Sequence, residues 1–228
     1  MDTRKDKFPP EFRHSLDASK SLLKNPLLKK WIQEKYLQSA YVKQGAVSFA
    51  QLKPFPHLEI SDFFIPEKLI EVLKALTTEK FFFKEADLFK FRQTQDFLGS
   101  ENATLQEFRR FLSSPDFISY LSLLTGAALK SHSIDISATL YEDTDFLLCH
   151  DDQLEGRKIA YFIYLSTLEK GDGGTLQLFN KDFQIEASIS PRFNTFAFFE
   201  VSSKSFHEVA EVLGEKQRIA ITGWFHDQ

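Results

Sequence analysis

The tripeptide His150-Asp151-Asp152 sets an imidazole and a carboxylate two residues apart. In extended backbone, positions i and i+2 project to one face, where both can hold one metal ion. Alone the pair means little: six histidines and 32 acidic residues in 228 give about one such pair by chance, and the chain has two. The other, His57 with Glu59, serves as a control and reads as a surface-facing strand edge. What separates His150 and Asp152 is the company they keep. A strand-borne His207 lies 55 residues beyond Asp152, and Arg218 follows 11 residues later. Two histidines and one carboxylate on one face of an iron leave three adjacent positions open. That facial arrangement takes a bidentate cosubstrate and O₂ together.

Arg218 points to the cosubstrate. In RIAITGWF, alternation puts Arg218, Ala220, Thr222 and Trp224 on one face. No acidic residue in that strand pairs the guanidinium, so burying it inside a barrel is costly without an anion. A planar guanidinium grips a carboxylate through two parallel hydrogen bonds, and the distal carboxylate of 2-oxoglutarate supplies the missing charge. Thr222 is placed to donate to the same carboxylate, as is Tyr164 of KIAYFIYL from a neighbouring strand. Cys149 points away from the metal face and reads as a small core residue. The phenylalanines of DLFKFRQTQDF and TFAFF read as core and loop packing rather than a substrate cage.

Positioning these residues calls for a rigid frame, and the chain has the length and apolar content for one. Its 228 residues are 43% hydrophobic and 26% charged, enough for one buried core without disulfides. The net charge of −4 provides no basic field for nucleic acid or anionic membranes. A single cysteine fits a reducing compartment, and neither a leader-like apolar run nor a membrane-length one is visible. The expectation is therefore a soluble intracellular protein, cytoplasmic, or also nuclear if eukaryotic, of unreadable oligomeric state. Residues 1–14 are charged and proline-bearing. Leu23, Leu27, Leu28, Trp31, Ile32 and Tyr36 then recur at helical spacing, interrupted by Pro26. Residues 1–53 thus read as an N-terminal helical extension and 54–228 as the main domain. After a short strand, HLEI, a helix from Pro66 shares a face of Leu69, Ile70, Leu73 and Leu76. Thr104 and Glu107 form a capping box before Phe108, and a third helix ends at Gly126. The polar segment 84–103 reads as a loop suited to a lid. From Ser133 onward eight short β-rich runs follow, separated by turn-formers. Helices first and strands after make an α+β class, a sandwich or closed barrel buttressed by the helices.

LLCHDDQLEGRKIAYFIYL, GGTLQLF, FFEVSSKSFHEVAEVL and RIAITGWFH resemble the catalytic domain of the ribosomal prolyl hydroxylases, the 2-oxoglutarate and iron-dependent oxygenase domain-containing family. PFPHLEISDFFIP and DLFKFRQTQDF are similar too, so the resemblance spans roughly residues 54–226. It implies a double-stranded β-helix (jelly-roll, cupin-like). It also implies Fe(II) on His150, Asp152 and His207, and the distal carboxylate of 2-oxoglutarate on Tyr164 and Arg218, with Tyr141 as a further pocket tyrosine. The implied activity is prolyl hydroxylation of the small-subunit ribosomal protein at the decoding centre, using O₂, with ascorbate as an accessory reductant. The family's eukaryotic members carry a second, non-catalytic β-helix domain, for which these 228 residues leave no room. Two other readings stand beside this one. The same iron chemistry could act on another protein or on nucleic acid, although nucleic-acid demethylases carry a second arginine where Thr222 and Trp224 follow Arg218. A β-helix binding module without catalysis is the other.

Overall fold

The computed structural model describes residues 21–227; the charged, proline-bearing run of residues 1–14 lies outside them. Pro26 opens a helix rather than interrupting one. Asn25 caps α1 (Pro26–Trp31), its side-chain oxygen accepting from the Leu27 N–H at 2.8 Å. This is the first-turn position where proline's missing N–H costs nothing. Extended backbone at Ile32 ends α1, a 3₁₀ turn spans Glu34–Leu37, and α2 runs Ser39–Gln51. The other helices are α3 (Pro66–Leu76), α4 (Ala103–Leu112) and α5 (Pro115–Thr125). Two details differ from the sequence reading. Ile70 is exposed, while Val72 takes its place in the core. At α4 the cap is Asn102, which accepts from the N–H groups of Thr104 and Leu105, so no Thr104–Glu107 box forms. Gly126 ends α5 in the left-handed conformation, as predicted.

Among the described residues eleven antiparallel strands form one sheet that curls almost into a barrel: β1 (His57–Ile60), β2 (Phe82–Ala86), β3 (Phe89–Gln93), β4 (Leu129–Tyr141), β5 (Phe146–His150), β6 (Arg157–Tyr164), β7 (Leu176–Phe179), β8 (Ile185–Ile189), β9 (Phe196–Glu200), β10 (His207–Val209) and β11 (Arg218–Asp227). Their order is β1-β9-β6-β11-β4-β3-β5-β10-β7-β8, with β2 beside β3. Segment 84–103, read as a loop, contains most of the β2–β3 hairpin and a short 3₁₀ turn. Every residue of β2 is exposed, so no apolar alternation marks it as a strand.

Period-two alternation gives each central strand two apolar faces. Ile159, Tyr161 and Ile163 of β6, Phe196 and Phe198 of β9, and Ile221 and Phe225 of β11 join the helices in one large core. Ala160, Phe162 and Tyr164, Ala197 and Phe199, and Ala220 face the inside of the curl and form a second core. The first core fixes the sheet against the helices, and Trp31, Val42 and Phe49 of the N-terminal helices belong to it. The second surrounds the candidate chemistry.

Candidate functional site

The three candidate metal ligands converge. One ligand atom from each of His150, Asp152 and His207 lies within 4.8 Å of the others, the only such trio of potential metal-binding groups among the described residues. Antiparallel pairing of β5 with β10 sets His150 directly opposite His207, their rings 4.2 Å apart. Asp152 arrives by a different route from the one its spacing suggests. β5 ends at His150, and Asp152 lies on the turn beyond it with φ of 61°, a left-handed conformation that Asp tolerates better than most residues. Its Oδ1 lies 3.3 Å from His150 Nε2 and its Oδ2 3.4 Å from His207 Nε2. His150 Nδ1 bonds the carbonyl of Leu148 and His207 Nδ1 that of Ser205, both at 2.8 Å. A carbonyl only accepts, so each Nδ1 carries the proton and each Nε2 presents its lone pair to the common centre.

Burial and charge set the protonation of this cluster. Burial tends to raise the Asp152 carboxyl, but its hydrogen bonds and charge interactions with His150 and His207 overcome it and hold the group far below the usual carboxylate range. Burial tends to lower His150, yet Asp152 beside it carries it above its ordinary value. The site therefore keeps a fixed negative charge between two imidazoles, a donor set suited to a divalent transition metal.

Arg218 is wholly buried, and its Nε donates to the Gly174 carbonyl at 2.8 Å. Neither terminal nitrogen has a hydrogen-bond partner, and neither does the buried Tyr164 hydroxyl. Among the described residues no carboxylate pairs with the guanidinium. Its carbon instead lies 5.1 Å from the ring centres of both Tyr141 and Tyr164. Tyr141 sits directly across from Arg218 in the β11–β4 pairing. Burial raises both phenols; the Arg218 charge opposes this without reversing it, so both stay protonated donors. Three buried donors without partners, two of them on the guanidinium cation itself and the third the Tyr164 hydroxyl, make a cradle for a carboxylate. A cavity of about 310 Å³ connects it to His150, Asp152 and His207, and Thr222 lines the same wall. Fe(II) and 2-oxoglutarate thus fit: the histidines and Asp152 suit the metal, and the unpartnered donors suit the acid's far end.

Other sequence expectations fare differently. Phe89 and Phe91 line the cavity, and the Phe199 ring lies 4.6 Å from that of His207, so part of the phenylalanine set walls the site rather than the core alone. His57, read as surface-facing, is buried with its Nδ1 on the Phe55 carbonyl, while Glu59 is exposed. Cys149 is half-exposed rather than a core residue. Sequence reasoning missed two residues. Trp224 donates its indole N–H to Asp152 Oδ2 at 3.0 Å, and the Arg157 guanidinium stacks over the indole at 3.4 Å. Placing Trp224 on the inward face with Arg218 was the available signal.

Residues 136–226 match the 2OG-Fe(II) oxygenase superfamily. The chain is similar to prolyl 3-hydroxylase OGFOD1 of Xenopus laevis, 41% identical over 181 residues covering 76% of this chain and 35% of that protein. It is also similar to prolyl 3,4-dihydroxylase OGFOD1 of Ostreococcus tauri, 36% identical over 82% of this chain and 40% of the relative. The chain thus spans little more than a third of the length of these curated relatives. Among solved structures, a Pseudomonas putida prolyl-4-hydroxylase superposes with a TM-score of 0.65 at 17% identity, covering 81% of this chain and 99% of that one. At that identity the likeness supports the jelly-roll fold.

Proposed function

The chain belongs to the 2-oxoglutarate–Fe(II) oxygenase superfamily, within its prolyl hydroxylase branch, and from that premise we propose that it hydroxylates a prolyl residue of a protein. In this reading His150, Asp152 and His207 hold Fe(II), and Arg218 with Tyr164 holds 2-oxoglutarate by its distal carboxylate, with Tyr141 and Thr222 as further residues of the cosubstrate pocket. One observation carries the reading: a single cavity joins a His/Asp/His cluster to a buried arginine whose terminal nitrogens lack partners. We assign the reaction to residues 54–228, with 1–53 as an N-terminal extension. The substrate in this reading is the small-subunit ribosomal protein at the decoding centre, in the cytoplasm or nucleus, with ascorbate as accessory reductant. What supports a prolyl target is the naming of the curated relatives as prolyl hydroxylases. No helix among the described residues is long and apolar enough to cross a membrane.

Fe(II), 2-oxoglutarate and O₂ together supply the oxidising power that inserts oxygen into a C–H bond. The protein's part is binding, orientation and exclusion of water. The Leu148 and Ser205 carbonyls hold the Nδ1 proton of each ring, so that in the neutral imidazoles Nε2 is the nitrogen left to ligate. Arg218, held by Gly174 and flanked by two tyrosine rings, sets the depth at which the acid binds. Phe162 and Phe199, packed about His207, keep the interior apolar. The test is to incubate the protein with Fe(II), 2-oxoglutarate and peptides of the ribosomal protein and follow peptide mass. A gain of one oxygen on proline with matching succinate is expected, and its loss in His150→Ala together with metal binding. Succinate without any peptide gain would remove the ribosomal substrate, while equal metal affinity in wild type and His150→Ala would remove the metal site.

A further inference from the structure

Asp152 needs support that its own strand does not provide. It lies beyond the end of β5 on left-handed backbone, so no ladder hydrogen bond sets its direction. Three groups from elsewhere surround that turn. The Ser205 hydroxyl shares its one proton between the Ser202 carbonyl at 2.8 Å and the Asp151 carbonyl at 3.0 Å. Trp224 Nε1 donates to Asp152 Oδ2 at 3.0 Å. Arg157 stacks over the Trp224 ring and brings its Nη1 to 3.8 Å from Asp152 Oδ1. Trp224 projects inward from β11 on the same face as Arg218, and the register shift between Phe225 and His226 lies beside it, where β11 meets Arg157 of β6. A single strand thus carries the cradle for the organic acid near one end and a contact to the Asp152 carboxylate near the other.

The indole N–H matters because a carboxylate can bind a metal through one oxygen or through both. With two histidines and one carboxylate oxygen, a six-coordinate ion keeps three positions free, enough for a bidentate acid and O₂. If both oxygens bind, one of those positions is lost. An indole nitrogen is a donor only, so a hydrogen bond to Oδ2 engages that oxygen and leaves Oδ1 for the metal. We infer that Trp224, braced by Arg157, is a positioning residue that holds Asp152 as a one-oxygen ligand and so preserves the third open position. This rests on the metal-site reading above and adds to it the residue that sets the number of open positions.

The full chain loaded with Mn(II) alone tests this, since water-proton relaxation counts the exchangeable waters on the ion. Wild type should hold three, and Trp224→Phe, which keeps an aromatic ring but removes the donor, should hold two because Oδ2 is freed to bind. Adding 2-oxoglutarate should then leave one water in wild type and none in the variant. Should Trp224→Phe fail to fold, both tryptophans can be replaced biosynthetically by the isosteric benzothienyl analogue, which exchanges only N–H for sulfur. Trp31 Nε1 has no hydrogen-bond partner, so the exchange removes no bond there. Three waters in both wild type and the N–H-free protein would overturn the role of Trp224 while leaving the metal site standing. No Mn(II) binding by wild type would overturn both.

Discussion

Replacing Arg218 with methionine distinguishes an arginine that holds the fold from one that waits for a ligand. In the metal-free protein the buried guanidinium leaves two terminal nitrogens bare, a cost of about 1–3 kcal/mol each. Against this stand the Nε bond to Gly174, worth about 1.5–3 kcal/mol, and two tyrosine contacts of about 0.5–2 kcal/mol each. The two sides nearly cancel. Methionine removes the bare donors and the contacts together and leaves the Gly174 carbonyl without its guanidinium partner. The metal-free variant should therefore melt within roughly 2 kcal/mol of wild type, whereas breaking a structural buried ion pair costs about 3–5 kcal/mol. Ligand response should differ sharply. At a hundred times its Kd, 2-oxoglutarate stabilises a protein by about 2.7 kcal/mol. For a domain of this size that raises the melting temperature by roughly 5–11 °C. Calorimetry with Mn(II) in place of Fe(II) should show that rise in wild type and none in Arg218→Met. A variant that keeps the 2-oxoglutarate shift, or that loses more than about 10 °C without ligand, would refute the assignment of this arginine to the cosubstrate.

Tyr164→Phe removes a buried hydroxyl that has no partner, so metal-free stability should hold or rise slightly. Titration calorimetry should show 2-oxoglutarate binding weakened about 10- to 150-fold, the worth of one hydrogen bond to a charged group of roughly 1.5–3 kcal/mol. At Gly174, φ is +68° and an added Cβ would lie 2.9 Å from Leu168 Cδ2 and 3.1 Å from Arg218 Cδ. Gly174→Ala should thus lower stability by about 1–2 kcal/mol from backbone strain alone. It should also weaken 2-oxoglutarate binding by displacing the arginine, and an unchanged cosubstrate affinity would show that the guanidinium is not located by this contact.

What was legible in the sequence follows from which forces act locally. The alternation in RIAITGWF placed Arg218, Ala220, Thr222 and Trp224 on the interior face, and the second core includes Ala220 with Trp224 packed against it. His207 and Arg218 were legible for the same reason: strand periodicity says which face a residue takes. The β2 strand was not, because all five of its residues are exposed and only backbone pairing with β3 makes it a strand. Asp152 was identified as a candidate on an incomplete argument. Extended geometry would have aimed it beside His150, but the chain turns first, and the carboxylate meets both imidazoles from that turn. His57 shows the limit of local reasoning from the other side. It too bonds a carbonyl two residues back through Nδ1, so that contact alone does not mark a metal ligand; a second imidazole opposite and a carboxylate between do.

The two apolar faces of the sheet divide the labour along single strands. In β11, Ile221 and Phe225 lock the strand to the helices, while the intervening Arg218, Ala220, Thr222 and Trp224 face the cavity or its wall. In β6, Tyr161 packs toward the helices and Phe162 and Tyr164 toward the site. On β6 and β11 a residue facing the site thus sits within one peptide unit of a residue packed in or against the larger core. That coupling explains how a guanidinium can be held without a carboxylate partner: the neighbours of Arg218 on its own strand and the Tyr141 strand beside it are fixed by packing that owes nothing to charge. The energy that keeps the cradle open resides on the opposite face of the sheet, and the cradle can stay short of hydrogen bonds until an acid provides them.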